Sequence, residues 1–124
     1  MQLDVTRNGD RMVVRFTTRV DLEGETSDRF KNQLKDVVAQ GGKHLVIDLG
    51  EVGFIDSCGL GALISALKVL RTSGGSLVLA NVSEPVEAVL RITRLSRVFE
   101  ICPDVRDALV LSASQAHSAG ESAR

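Results

Sequence analysis

Three features of this sequence predict a single α/β domain built on a mixed sheet: two near-continuous apolar runs of strand length, helix-period stripes between and after them, and a hairpin signal at the start. The runs "HLVIDL" (44–49) and "SLVLANV" (76–82) are apolar on both strand faces, as expected of strands covered on both sides or buried centrally in a sheet. The predicted order is β-β-α-β-α-β-α-β-α, with right-handed βα crossovers.

Each element has its own signal. Residues 3–7 and 12–17 are short runs rich in Val and Phe that flank "NGD", whose Asn8-Gly9 pair suits a primed hairpin turn. Over 26–40, Phe30, Leu34, Val37 and Val38 recur at helical spacing, with Thr26 or Ser27 available as N-cap and Gly41-Gly42 as the stop. The next helix is predicted over 57–72. Stepping about 100° per residue turns Leu60, Leu63, Ile64, Leu67 and Leu70 toward the core. It turns Cys58, Ala62, Ser65 and Val69 to the opposite side, small and uncharged where a solvent face ordinarily carries Lys and Glu. "SEPVEAVLRI" is a third helix, with Ser83 as N-cap, Pro85 in the first turn and Val86, Val89 and Leu90 as its stripe. "RVFEI" supplies a last short strand and "CPDVRDALVL" a closing helix. After Leu111 the chain turns small and polar, "SASQAHSAGESAR", which predicts a disordered tail over 112–124 behind a domain of residues 1–111.

Composition removes several function classes. A chain of 124 residues, 44% hydrophobic, has material for one core. Fifteen basic residues against sixteen acidic ones leave a net charge of -1, and there are four Phe but no Trp or Tyr. Neither the electrostatic footprint nor the stacking platforms of a nucleic-acid binder are present. The longest uncharged apolar stretch, 58–67, falls far short of the ~20 residues that span a bilayer, so no membrane insertion is expected and a cytoplasmic location is. Cys58 and Cys102 lie far apart without ligand spacing, which suits a reducing compartment and predicts no metal site.

The stretch "VGFIDSCGLGALISAL" (52–67) concentrates what reactive chemistry there is. Its "GLGALI" is a broken dinucleotide fingerprint, with Ile64 where the third glycine belongs and no acid at the end of the next strand. "GGKH" at 41–44 lacks the upstream glycine and trailing hydroxyl of a phosphate-binding loop. As a hydrolase, "IDSCG" lacks the glycine of a nucleophile elbow, and the two histidines, His44 and His117, are badly placed to serve Ser57 or Cys58 as a base. Asp48 and Asp56 after a buried strand suggest a phosphate-accepting receiver, but its acidic pair and late lysine are missing. Cys58 at a helix start could carry a lowered thiol pKa, although a small residue for close packing is the simpler reading.

Ser57 has a strong structural reading as helix N-cap. Three features favour a functional one. Asp56 adds a second acceptor, Gly59 and Gly61 bare the first turn, and the outer helix face is smooth. A phosphate on Ser57 would sit at the positive end of the helix, where the fold tolerates it.

At this point "LVIDLGEVGFIDSCGLGALISALKVLRTSGGSLVLANVSEPVEAVLRITRLSRVFEI" resembles the STAS domain of bacterial anti-sigma factor antagonists, from the hairpin to Ile101. The most specific element is Asp56-Ser57-x-Gly59-Leu60-Gly61. The resemblance implies a non-enzymatic switch in which an anti-sigma factor with serine kinase activity binds the unphosphorylated chain, releases sigma and phosphorylates the serine matching Ser57. A metal-dependent serine phosphatase would reverse the step. ATP and magnesium belong to the kinase, so the resemblance implies no cofactor here. It further implies that Asp21, Asp56, Cys58, Gly59 and Gly61 flank the phosphosite, and the smooth face of Cys58, Ala62, Ser65 and Val69 is the expected docking surface. Thr18 stands where the family usually has a glycine before the loop acid. The family also holds non-enzymatic subunits of stressosome-like and lipid-transport ABC complexes, in which the same helix face packs permanently against a neighbour.

Overall fold

The computed structural model describes residues 2–117, with side chains through residue 111. Its five-stranded sheet has β1 (Leu3–Asn8), β2 (Arg11–Phe16), β4 (His44–Asp48), β6 (Ser76–Ala80) and β7 (Glu100–Cys102), side by side in that order. Only β1 is antiparallel to its neighbour. The parallel pairs need crossovers, and α1 (Glu25–Ala39), α2 (Ser57–Thr72) and α3 (Glu84–Ile92) supply them. The closing helix, α4, spans Val105–His117.

The predicted order is present, and two short strands are added to it. β3 (Val20–Leu22) and β5 (Val52–Ile55) pair in parallel as a separate two-stranded sheet. In the hairpin, Asn8 pairs with Arg11, so the two loop residues are Gly9-Asp10 and not Asn8-Gly9. Gly9, at φ +69°, opens the loop as a first-position glycine should. Helix α4 runs past the expected boundary at Leu111 to His117, which makes the first residues of the expected tail helical. The rest of that tail, 118–124, lies outside the described residues.

The apolar strand runs are explained by two cores. Met12, Val14, Phe16, Leu45, Ile47, Leu77 and Leu79 point to the face covered by α1, α2 and α3. Val13, Val46, Val78 and Ala80 point to the other, where Ala108 of α4 seals them. Alternation therefore exists, but both sets are apolar because both faces are covered. Helix α2 meets this frame through Leu60, Leu63, Leu67 and Leu70, buried as its stripe predicts, and through Ala66 outside that stripe, whereas Ile64 of the stripe is only half-buried.

Candidate functional site

The start of α2 is placed by β5, which leads into it, and by β3, which holds β5. The Asp56 amide donates to the Leu22 carbonyl at 2.8 Å, tying the turn before α2 to the end of β3. On the other side the Ser83 hydroxyl donates to the Val52 carbonyl at 2.7 Å.

Asp56, not Ser57, is the N-cap. Its backbone is extended (φ -94°, ψ -177°) and its Oδ1 accepts from the Gly59 amide at 2.9 Å. The same oxygen accepts from the hydroxyl of Ser27 at 2.6 Å, and Oδ2 accepts from the Gly24 amide at 3.0 Å. One carboxylate therefore caps α2 and pins the start of α1, whose own N-cap residue is Gly24 and not Thr26 or Ser27. Ser27 is fully buried, and its hydroxyl is spent on this bond. Desolvation pushes the Asp56 carboxyl up, but the hydrogen bonds from Ser27 and from the amides of Gly59, Gly24 and Cys58 outweigh it and hold its pKa below the ordinary carboxylate value.

With the cap supplied, Ser57 falls on the first helical position and is exposed. Its hydroxyl has no hydrogen-bond partner among the described residues. The flanking glycines differ in purpose. A Cβ on Gly59 would come to 2.7 Å from Ile55 Cγ1 and 3.3 Å from Ser27 Oγ, so close packing of α2 on β5 and α1 demands the glycine. A Cβ on Gly61 would meet nothing within 4 Å. A glycine inside a helix costs about 0.8–1 kcal/mol relative to alanine, and no contact among the described residues compensates for it at Gly61.

Cys58 is half-buried, and its thiol donates to Asp28 Oδ1 at 3.3 Å. That hydrogen bond, with desolvation and the charges of Asp28 and Asp56, pushes the thiol up although Lys31 pulls the other way, so the lowered thiol pKa expected of a helix start does not occur. Asp21 is exposed on β3 beside Phe54 of β5. Its carboxylate lies over Gly53, where a Cβ would stand 2.8 Å from Oδ1. The smooth face is divided. Ser65 and Val69 are exposed, Val69 by half, but Ala62 is buried at 3% because α1 lies across it. His44 is buried at the far end of β4, with Nδ1 2.8 Å from Ser76 Oγ and Nε2 3.8 Å from Asp10. Its ring is engaged there and not with Ser57.

The sequence offers Ser27 only as a cap for its own helix and gives no sign of its bond to Asp56 or of Gly24 as the cap, and the motif leaves out Phe54 beside the site. Ser27 and Asp56 are 29 residues apart, and no local pattern announces a bond between them. Phe54, 41% exposed three residues before Ser57, carried a signal in being one of the chain's few aromatics, within the very stretch that holds the motif.

The family model of the STAS domain matches residues 2–108. The chain is 30% identical over 101 residues to the anti-sigma-B factor antagonist of Bacillus subtilis, covering 82% of this chain and 90% of that protein. It is 26% identical over 110 residues to the anti-sigma F factor antagonist of Paenibacillus polymyxa, covering 88% and 92%. Among solved structures, the anti-sigma factor antagonist SpoIIAA of Bacillus in its unphosphorylated form superposes with a TM-score of 0.72 over 87% of this chain and 93% of that one, at 17% identity. Its phosphorylated form superposes with a TM-score of 0.65 over 87% and 96%, at 16% identity. Likeness at that level concerns the fold. Among the described residues no helix is long and apolar enough to cross a membrane.

Proposed function

The chain belongs to the STAS domain family, and we propose that it is an anti-sigma factor antagonist whose binding is switched off by phosphorylation of Ser57. The observation that carries this reading is the division of labour at α2: Asp56 caps the helix, and the adjacent Ser57 hydroxyl is exposed and uncommitted. A serine needed as a cap would have its oxygen occupied. This one is available to a kinase without loss of the helix start.

In its unphosphorylated form the chain docks on an anti-sigma factor with serine kinase activity, in the cytoplasm of a bacterium, and sigma is released. The bare turn at Gly61 lets the partner's backbone approach, and exposed Ser65 and Val69 continue the same helix face one and two turns further on. Phosphorylation adds about -1.5 to -2 charges at the helix N-terminus, which the α2 dipole accommodates. The partner must then desolvate those charges beside Asp56 and Asp28, and binding is lost. A metal-dependent serine phosphatase restores the hydroxyl. The relatives named as antagonists of sigma-B and sigma-F anti-sigma factors support the partner class, and SpoIIAA shares this fold in both its unphosphorylated and its phosphorylated form.

The test compares Ser57→Ala with Ser57→Asp for affinity toward the cognate anti-sigma factor, alongside thermal melts. The expected result is near-native binding by the alanine variant and at least tenfold weaker binding by the aspartate variant, with both folded. Equal binding by the two would remove Ser57 from the switch.

A further inference from the structure

Helices α1 and α2 pack directly on each other, yet between their outer edges they leave a half-open groove of about 290 Å³. Its origin is legible in side-chain size. Helix α2 turns Ala62 and Ala66 toward α1, which presents Leu34 and Val38, and the alanines are too short to fill the space. Val69 forms one lip. On the opposite rim stand Lys31 and Lys35, one helical turn apart and exposed, and neither takes part in an ion pair among the described residues.

An apolar slot with two free ammonium groups on one edge selects a ligand that is apolar along its length and anionic at one end. Between the two packed helices the groove presents the methyl and methylene groups of Leu34, Val38, Ala39, Ala66 and Val69 along its length. A polymethylene chain fits. From Ala62 to Val69 the groove follows α2 for about 10 Å at 1.5 Å per residue, the reach of a medium-length alkyl chain. We infer that the α1–α2 groove binds a free medium-chain carboxylate, its alkyl chain against Val38, Ala39 and Val69 above the buried Ala62 and Ala66, and its carboxylate held between Lys31 and Lys35.

This inference stands apart from the switch at Ser57, since it needs neither kinase nor phosphate. Its consequence for the proposed docking surface is local: Ser65 and Val69 border the groove, so an occupied groove changes what a partner meets there.

The test titrates the whole chain with decanoate below its micellar range, with decanol as the uncharged control, and follows binding by methyl NMR and calorimetry. Saturable decanoate binding should shift the methyls of Ala62, Ala66, Val38 and Val69 together, and shortening the chain should weaken it by roughly two- to fourfold per methylene. The double variant Lys31→Gln/Lys35→Gln alters only exposed positions. It should weaken decanoate about three- to tenfold and leave decanol unchanged, as expected for two solvent-exposed ion pairs. Failure of decanoate to saturate, shifts centred on α4 instead, or equal affinity of wild type and double variant for decanoate would each overturn the assignment. Binding of the anti-sigma factor with no response to decanoate would leave the proposed function intact and dismiss this site, whereas decanoate binding without any sigma-related partner would do the reverse.

Discussion

The starts of α2 and α3 read alike in sequence, each a serine opening an apolar helix, and they use that serine in opposite ways. In "VSEPV" a valine precedes it, so Ser83 takes the N-cap position with extended backbone and spends its hydroxyl on the Val52 carbonyl. In "IDSCG" an aspartate precedes it, takes the cap and displaces Ser57 by one residue onto the helix proper. At α2 the preceding aspartate, held by Ser27 and Gly24 across the fold, takes the cap and leaves Ser57 uncommitted. Ser27, near the start of α1, is a third case, buried and bonded to the same Asp56.

The largest effect expected from breaking this comparison is at Asp56. Asp56→Ala removes the α2 cap and leaves the buried Ser27 hydroxyl and the Gly24 amide without their acceptor, which should cost about 2–4 kcal/mol in denaturant unfolding. The same carboxylate gives the fold an acid sensitivity. Because its folded pKa lies below the unfolded value of about 3.9, its contribution is present at neutral pH and fades as pH falls below the unfolded value through the folded one. Asp56→Asn should flatten the wild-type decline in stability over that acidic range.

Ser83→Ala should cost about 0.5–1.5 kcal/mol, the value of one hydrogen bond to the Val52 carbonyl. Gly61→Ala sharpens the comparison from the other side, because its Cβ enters open space. It should raise stability by up to about 1 kcal/mol while weakening the anti-sigma factor complex, a combination that only an external role for the glycine produces. Ser57→Ala is the smallest, within about 0.5 kcal/mol, since no bond among the described residues is lost.

Much of this was legible before the structure, and the misses share a cause. The bounds of α2 and the burial of Leu63, Leu67 and Leu70 followed from helical period alone. The strands β3 and β5 did not. "VDL" and "VGFI" are too short for alternation to register, and their pairing joins segments about thirty residues apart in the chain. The cap was misplaced by one residue for the same reason, because what fixes Asp56 is its bonds to Ser27 and Gly24 across the fold. Helical stepping turns Ala62 outward because it knows which way a residue faces and not that α1 lies there. The motif itself was visible as a string, whereas the availability of its hydroxyl is a property of tertiary structure.

The most direct measurement is phosphosite mapping. The chain, its Ser57→Ala variant and its Ser83→Ala variant are each incubated with the cognate anti-sigma factor kinase and ATP, and phosphopeptides are quantified by mass spectrometry. Stoichiometric phosphate is expected on Ser57 in the wild type and in Ser83→Ala, and none in Ser57→Ala. Phosphate on Ser83, or undiminished incorporation by Ser57→Ala, would contradict the switch at Ser57.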